Sequence, residues 1–309
     1  MIRAVTIGEC MIELSGRLGQ DPAEQKLNFG FGGDTLNTAV YLARALKSDH
    51  QCAASVGYLT ALGDDPFSDR MVAAWQREGI DTTAVQRLPG RLPGLYMIHT
   101  DDHGERQFFY WRDQAAARDL LDAGRDAVLA EMLAGVDLIY LSGISLAILA
   151  ADRQTKLLDV LRSARGDGAR IAFDTNHRPR LWPDQNAAIE IIEQMAAITT
   201  IALPGMDDER DLFGIDDPAA AAAAWHARGV DEVAIKNGAD PCLVSWPGGQ
   251  ALVSGACVEI PVDTTAAGDS FNGAYLAARL AGLGPEEAAA AGHRTAARVI
   301  QYPGALVPR

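Results

Sequence analysis

Short apolar, β-branched runs alternate with longer helix-patterned segments along almost the whole chain, and this alternation limits the fold more than any other feature. Strands are expected at Ala4–Gly8, Cys52–Gly57, Val136–Tyr140, Arg170–Phe173, Ile198–Leu203 and Val233–Lys236. Helices are expected at Asp34–Leu46, Phe67–Glu78, Arg153–Ala164, Ala219–Arg228, Asp269–Leu280 and Pro285–Gln301. Strands separated by helices pair in parallel through right-handed crossovers, and a parallel sheet needs cover on both faces. The expected fold is therefore α/β: helices, a mostly parallel central sheet, then helices again. At 309 residues, length allows one large α/β domain or two modest ones.

Two stretches break the alternation. Cys10 to Phe29 carries turn residues such as Ser15-Gly16 and Asp21-Pro22. Leu88 to Arg112 is aromatic and polar, with Leu95–His99, an Asp101-Asp102-His103-Gly104 turn and Gln107–Arg112 in the pattern of a β-hairpin. Together, residues 10–29 and 88–112 are expected to form a small β-flap that projects from the main sheet as a lid. The alanines from Ala219 to Ala224 are helix formers ahead of Trp225.

Charge excludes some partners. There are 41 acidic against 27 basic side chains, a formal net charge of −14. Nucleic acids and anionic membranes need a positive surface, so neither is an expected partner. An anionic substrate would have to be met by a local group of arginines. Cys10, Cys52, Cys242 and Cys257 are scattered and read as small buried hydrophobes. The longest apolar stretch, Leu138 to Ala151, is bounded by Asp137 and Asp152 and falls short of the ~20 residues of a membrane span. With no signal-peptide pattern at Met1-Ile2-Arg3, a soluble cytoplasmic protein is expected.

Several catalytic signatures are missing: the P-loop G-x-x-x-x-G-K-[ST], zinc-type Cys/His spacing and H-E-x-x-H. Gly268-Asp269-Ser270-Phe271-Asn272-Gly273 is one residue out of step with a nucleophile elbow. Gly30-Phe31-Gly32-Gly33 is not a dinucleotide fingerprint. The richest segment is Asp263-Thr264-Thr265-Ala266-Ala267-Gly268-Asp269-Ser270-Phe271, small residues leading into a helix from about Asp269. Converging N–H groups at a helix start favour an anion. Asp269 itself fits two readings, a helix cap or a carboxylate base beside those N–H groups. The second is the pair that phosphoryl transfer to a hydroxyl asks for.

The Asp263–Phe271 run closely resembles the C-terminal signature of the PfkB (ribokinase-like) carbohydrate kinases. Gly32-Gly33-Asp34-Thr35-Leu36-Asn37-Thr38-Ala39 resembles their N-terminal signature, and Lys236-Asn237-Gly238-Ala239-Asp240 their nucleotide-bordering turn. Gly8–Leu14, Arg91–Tyr96, Leu141–Ala147 and Asn176–Trp182 resemble the branch that acts on the sugar acid 2-keto-3-deoxygluconate. The resemblance spans essentially the whole chain. It implies a single ribokinase-like domain over 1–309, a three-layer α/β/α sandwich with a β-flap lid. It also implies ATP-dependent phosphorylation of 2-keto-3-deoxy-D-gluconate at O6, with Mg²⁺ on the phosphates and an Entner–Doudoroff-type aldolase step to follow. Alternatives are a kinase for fructose or ribose and a non-enzymatic sugar sensor, for which a retained base has no use.

By resemblance, Asp269 is the base, and Ala266, Ala267 and Gly268 form the anion hole. Gly33, Asp34 and Asn37 hold sugar hydroxyls; Tyr96, Tyr110 and Arg112 lie on the flap over the sugar; Arg178 sits where sugar and ATP meet. In an acidic protein, Arg112 and Arg178 are the natural partners for a substrate carboxylate. ATP is bordered by Asn176, Arg178, Lys236, Gly238, Gly268 and Gly304. His177 is read as packing. Many relatives carry N-x-x-E for magnesium; this chain reads Met206-Asp207-Asp208-Glu209, so Glu209 is expected to reach Mg²⁺ through water. An apolar flap is also a surface through which two copies can pair.

Overall fold

Among the described residues, nine strands hydrogen-bond into one sheet. Their spatial order is Gly249–Val253, Asp240–Trp246, Glu232–Asn237, Ile201–Ala202, Arg170–Asp174, Leu138–Ser142, Ile2–Ile7, Ala54–Leu59 and Ile80–Asp81. The structure, a computed structural model, describes residues 1–16, 27–48, 53–100, 106–122, 126–256 and 258–309. From Glu232–Asn237 through to Ile80–Asp81 every pairing is parallel; the Asp240 and Gly249 strands close one edge antiparallel. All six expected strands lie in this sheet, with Cys52 outside the described residues. Ile198–Leu203 contracts to Ile201–Ala202, because residues 197–199 bond back into the preceding helix turn.

Strand alternation sorts the core into two layers. Val5, Ile7, Ile139, Leu141, Ile171, Phe173, Val233 and Ile235 face one way, against Leu157, Leu161, Ile192 and Trp225. Ala4, Leu138, Tyr140, Ala172 and Ala234 face the other, against Leu36, Val40, Leu276 and Tyr275. Helices therefore cover both faces, and each large aliphatic side chain buried between them contributes about 1.5–3 kcal/mol. The expected helices form with small shifts at their ends; Pro66–Glu78, for example, is capped by Asp65 and stopped by Gly79 at φ 86°. Helices at Asp126–Leu133, Gln185–Ala196 and Met206–Phe213 are additional to the expectation. The first and third are only two turns long, too short to show a full apolar stripe.

Asn28–Gly32, Met11–Gly16, Leu95–Thr100 and Arg106–Trp111 form a separate four-stranded sheet; three of its strands lie within the expected flap stretches, and Asn28–Gly32 extends past the expected end at Phe29. Tyr96 pairs with Tyr110 and Met97 with Phe109 across its hairpin. The turn at 101–104 and residues 17–26 lie outside the described residues. Ile12 packs into the main core with Leu14, Phe31 and Leu95 beside it, whereas Phe29, Phe109 and Trp111 stay exposed. Cys10 and Cys242 are free and buried, and burial pushes the Cys242 thiol up to about 12. Cys52 and Cys257 lie outside the described residues. No described helix is long and apolar enough to cross a membrane.

Candidate active site

The parallel strands Ile2–Ile7, Leu138–Ser142, Arg170–Asp174 and Glu232–Asn237 bring their carboxyl ends to one edge of the sheet, where open α/β sheets bind ligands. Two non-glycine residues among those described have positive φ, Ala266 at 60° and Asn176 at 35°. Both are expected site residues. Backbone held in this region costs of order 1–3 kcal/mol and recurs at ligand-binding positions.

Ala266 caps the helix Ala267–Leu280, which starts two residues before the expected Asp269. The Ala267 N–H donates to Thr264 O at 3.2 Å, so within the expected anion hole it is already engaged locally. Gly268 follows in the first turn, where a helix supplies no acceptor of its own. A Cβ at Gly268 would meet only the Lys236 ammonium, at 3.5 Å, so no packing demand explains the glycine.

Asp269 is not a cap. Its Oδ2 accepts from Asn37 Nδ2 at 2.9 Å, and its carbonyl from Thr38 Oγ1 at 3.3 Å. Both donors lie on the helix Asp34–Ser48, which can approach because Gly273 has no side chain: a Cβ there would stand 2.7 Å from Thr38 O. Burial first, then the negative charge of Asp34, pushes the Asp269 carboxyl up to about 7, against the bond from Asn37. A base is most effective with its pKa near the working pH. Asn37 Oδ1 is buried without a partner.

Asn176 Nδ2 donates to Asp34 Oδ2 at 2.7 Å, tying the Asn176 turn to the sugar-side residues. Gly33 has a backbone reason to be glycine, since a Cβ would stand 2.3 Å from Glu9 O. Lys236 Nζ donates to Asp174 Oδ2 at 2.6 Å, and Gly238 makes the following turn at φ 58°. Gly304 N donates to Asp263 Oδ2 at 2.6 Å, linking the C-terminal turn to the segment that leads into Ala266. A cavity of about 350 Å³ is lined by Phe31, Leu36, Trp75 and Leu306 among others, but by none of Asp34, Asp174, Lys236 or Asp269.

One expectation needs correction, and another expected site residue has a partner already in place. Glu209, expected to reach Mg²⁺ through water, is fully buried in Met206–Phe213; its Oε1 accepts from Trp225 Nε1 at 2.9 Å, and burial pushes it up to about 7. Asp208, one step round the helix, is the carboxylate near the site. It accepts the His177 N–H and feels the charges of Asp174, Arg178 and Lys236; burial raises it to about 6. Arg112, expected to meet the substrate carboxylate, is buried in an ion pair with Glu9, the side chains being 8% and 1% exposed. Arg112 Nε and Glu9 Oε1 remain buried without partners. Arg178 is exposed and donates to His177 O at 2.7 Å. Tyr96 is buried and donates to Glu13, with the half-exposed Tyr110 ring 5.9 Å away. His177 is buried, and burial lowers its pKa, which agrees with packing.

Glu9, Glu13, Asp174, Asp208 and Asn272 escaped the sequence reading. Asp208 stood in the Met206–Glu209 motif and Glu9 and Glu13 in Gly8–Leu14, and Asp174 left a signal of its own, a carboxylate at the end of a buried strand two residues before Asn176. The two acidic neighbours separate by experiment: Glu209→Gln keeps the acceptor for Trp225 and should retain near wild-type kcat. Asp208→Asn should lower kcat at least tenfold and raise the magnesium needed for half-maximal rate. The reverse ranking would restore Glu209 to the site.

A carboxylate raised to about 7, with an ammonium and a helix N-terminus beside it, suits phosphoryl transfer to a hydroxyl. Residues 1–308 match the profile of the pfkB family carbohydrate kinases, and the chain belongs to that family. It is 49% identical to the 2-dehydro-3-deoxygluconokinase of Escherichia coli (strain K12), across 99% of this chain and 97% of that one. The 2-dehydro-3-deoxygluconokinase of Dickeya dadantii is 50% identical, across 98% and 96%. The crystal structure of a PfkB protein from a Polaromonas species matches with a TM-score of 0.84 at 27% identity, covering 98% and 96%.

Proposed function

We propose that this kinase transfers the γ-phosphoryl group of ATP to O6 of 2-keto-3-deoxy-D-gluconate, giving ADP and 2-keto-3-deoxy-6-phosphogluconate. The observation that carries the chemistry is Asp269, raised to about 7 and held by Asn37 in the first turn of the helix Ala267–Leu280. The substrate reading is supported by identity near 50%, over almost the full length, to kinases named for it.

In this reading Asp269 takes the O6 proton as the hydroxyl attacks, while the Gly268 N–H and Lys236 meet the charge on the transferring group. Asp34 and Asn37 orient sugar hydroxyls, and the orphaned Asn37 Oδ1 is an acceptor free to do so. The four-stranded sheet serves as a lid, with Tyr96, Tyr110 and the Glu9–Arg112 pair over the sugar; two copies pairing through it would cover Phe109 and Trp111. Magnesium, which neutralises phosphate charge when bound, fits Asp208 through water. No group of three or more His, Cys, Asp or Glu able to hold a metal occurs among the described residues, and magnesium commonly keeps several waters and binds with phosphate.

The test is a coupled ADP-release assay with 2-keto-3-deoxygluconate, fructose, ribose and gluconate. The sugar acid should be turned over with the highest kcat/KM. Preference for fructose or ribose would reassign the substrate, and no ADP release with any sugar would favour a sensor.

A further inference from the structure

Behind the proposed reacting groups lies a buried polar junction, in which Asp174 and Asn272 have no part in the mechanism above. Asp174, at the end of the strand Arg170–Asp174, is 4% exposed. Its Oδ2 receives Lys236 Nζ at 2.6 Å and Asn272 Nδ2 at 2.7 Å, and its Oδ1 receives the Asn176 N–H at 3.3 Å. Asn272 lies three residues after Asp269 on the same helix, is fully buried, and also donates to Tyr140 Oη at 3.1 Å. One carboxylate thus joins the Lys236 strand, the Asp269 helix and the strained Asn176 turn.

A lysine has a flexible four-carbon stem, and a buried ammonium is costly unless paired. The Asp174 contact fixes where the Lys236 charge sits: next to Gly268, where a Cβ would stand 3.5 Å from Nζ. We propose that Asp174 is a positioning residue for phosphoryl transfer, holding the Lys236 ammonium at the mouth of the anion hole and the Asn272 amide beneath Asp269. This rests on the kinase reading above.

The arrangement has a signature that a purely structural ion pair lacks. The charged or titratable groups acting with Asp269 are Asp34 and Tyr41 from the helix Asp34–Ser48, Tyr140, Asp174 and Lys236. Asp174 raises the Asp269 pKa and Lys236 lowers it. Removing them should move the acid limb of kcat/KM in opposite directions. In Asp174→Asn the limb should fall by roughly half a unit to one unit, and in Lys236→Met it should rise by a similar amount. The double variant should return close to wild type.

Binding gives a readout independent of turnover. By calorimetry with a non-hydrolysable ATP analogue, Lys236→Met should weaken binding about tenfold in the wild-type background, the scale of one charge-assisted contact. In the Asp174→Asn background the same change should cost less than about threefold, because the lysine is no longer held beside the phosphates. Equal costs in both backgrounds, or an acid limb that moves in neither variant, would overturn the proposal. If Asp174→Asn does not fold, Lys236→Met alone decides: a limb that fails to rise rejects the role. Wild-type protein that binds the analogue but phosphorylates no sugar would reject the kinase reading, while the binding cycle still decides the Asp174–Lys236 coupling.

Discussion

Asp269→Asn is expected to lower kcat by about 10²–10⁴ while leaving the affinities for ATP and sugar within several-fold. The amide preserves the shape and still offers Asn37 an oxygen, but it cannot accept the O6 proton. In the wild type only the ionised carboxylate works as a base, so kcat/KM should fall on the acid side of about pH 7. A variant that keeps more than about a tenth of wild-type kcat would remove Asp269 from the base role. Stability should move the other way. The folded-state pKa of Asp269 is raised, so its stabilising contribution is complete below the ordinary carboxylate value and is lost as pH rises through about 7. Asn carries no such loss. Melting curves should show the variant more stable than wild type at about pH 8, with the difference shrinking towards about pH 5.

Arg112→Ala is expected to act twice. Truncation leaves Glu9 buried without its counter-charge, which typically costs about 3–5 kcal/mol of stability. It also removes the proposed contact with the substrate carboxylate, worth on the order of 1.5–3 kcal/mol, or about 10- to 150-fold in kcat/KM on the sugar acid. Activity on a neutral hexose, which has no carboxylate to lose, should change far less. Arg112→Lys should recover only part of the loss, because a point charge cannot make the two-pronged contact. Adding Glu9→Gln to Arg112→Ala should restore melting temperature without restoring activity on the acid. Equal proportional losses on acid and neutral sugar would make Arg112 a structural residue of the second sheet.

Much of this architecture was legible because its signals are local. Val5 and Ile7 alternate with Ala4, and Ile139 and Leu141 with Leu138 and Tyr140, so each strand carries the instruction for both core layers in its own residues. The missed helices are those whose boundary signals outweigh their pattern: Asp184 caps Gln185–Ala196, and Gly205 and Gly214 bracket Met206–Phe213. Asp269 stood out because small residues and a carboxylate meet at one helix start, although its cap and base readings could be separated only by finding its partner, Asn37, 232 residues away.

The sequence by itself determined the parallel α/β sheet, its covering helices, the family and the residue types at the strand ends, since periodicity, turn chemistry and motif order are properties of neighbouring residues. Tertiary structure decided which of those residues face one another. Asp208 and Glu209 differ by one step round a helix, and only the packing of Met206 and Leu212 into the core turns Glu209 towards Trp225 and Asp208 towards Asp174. Arg112 finds Glu9 across 103 residues, and Asp174 finds Asn272 across 98. Partnership at that separation depends on how whole elements are rotated and stacked, which no local pattern encodes.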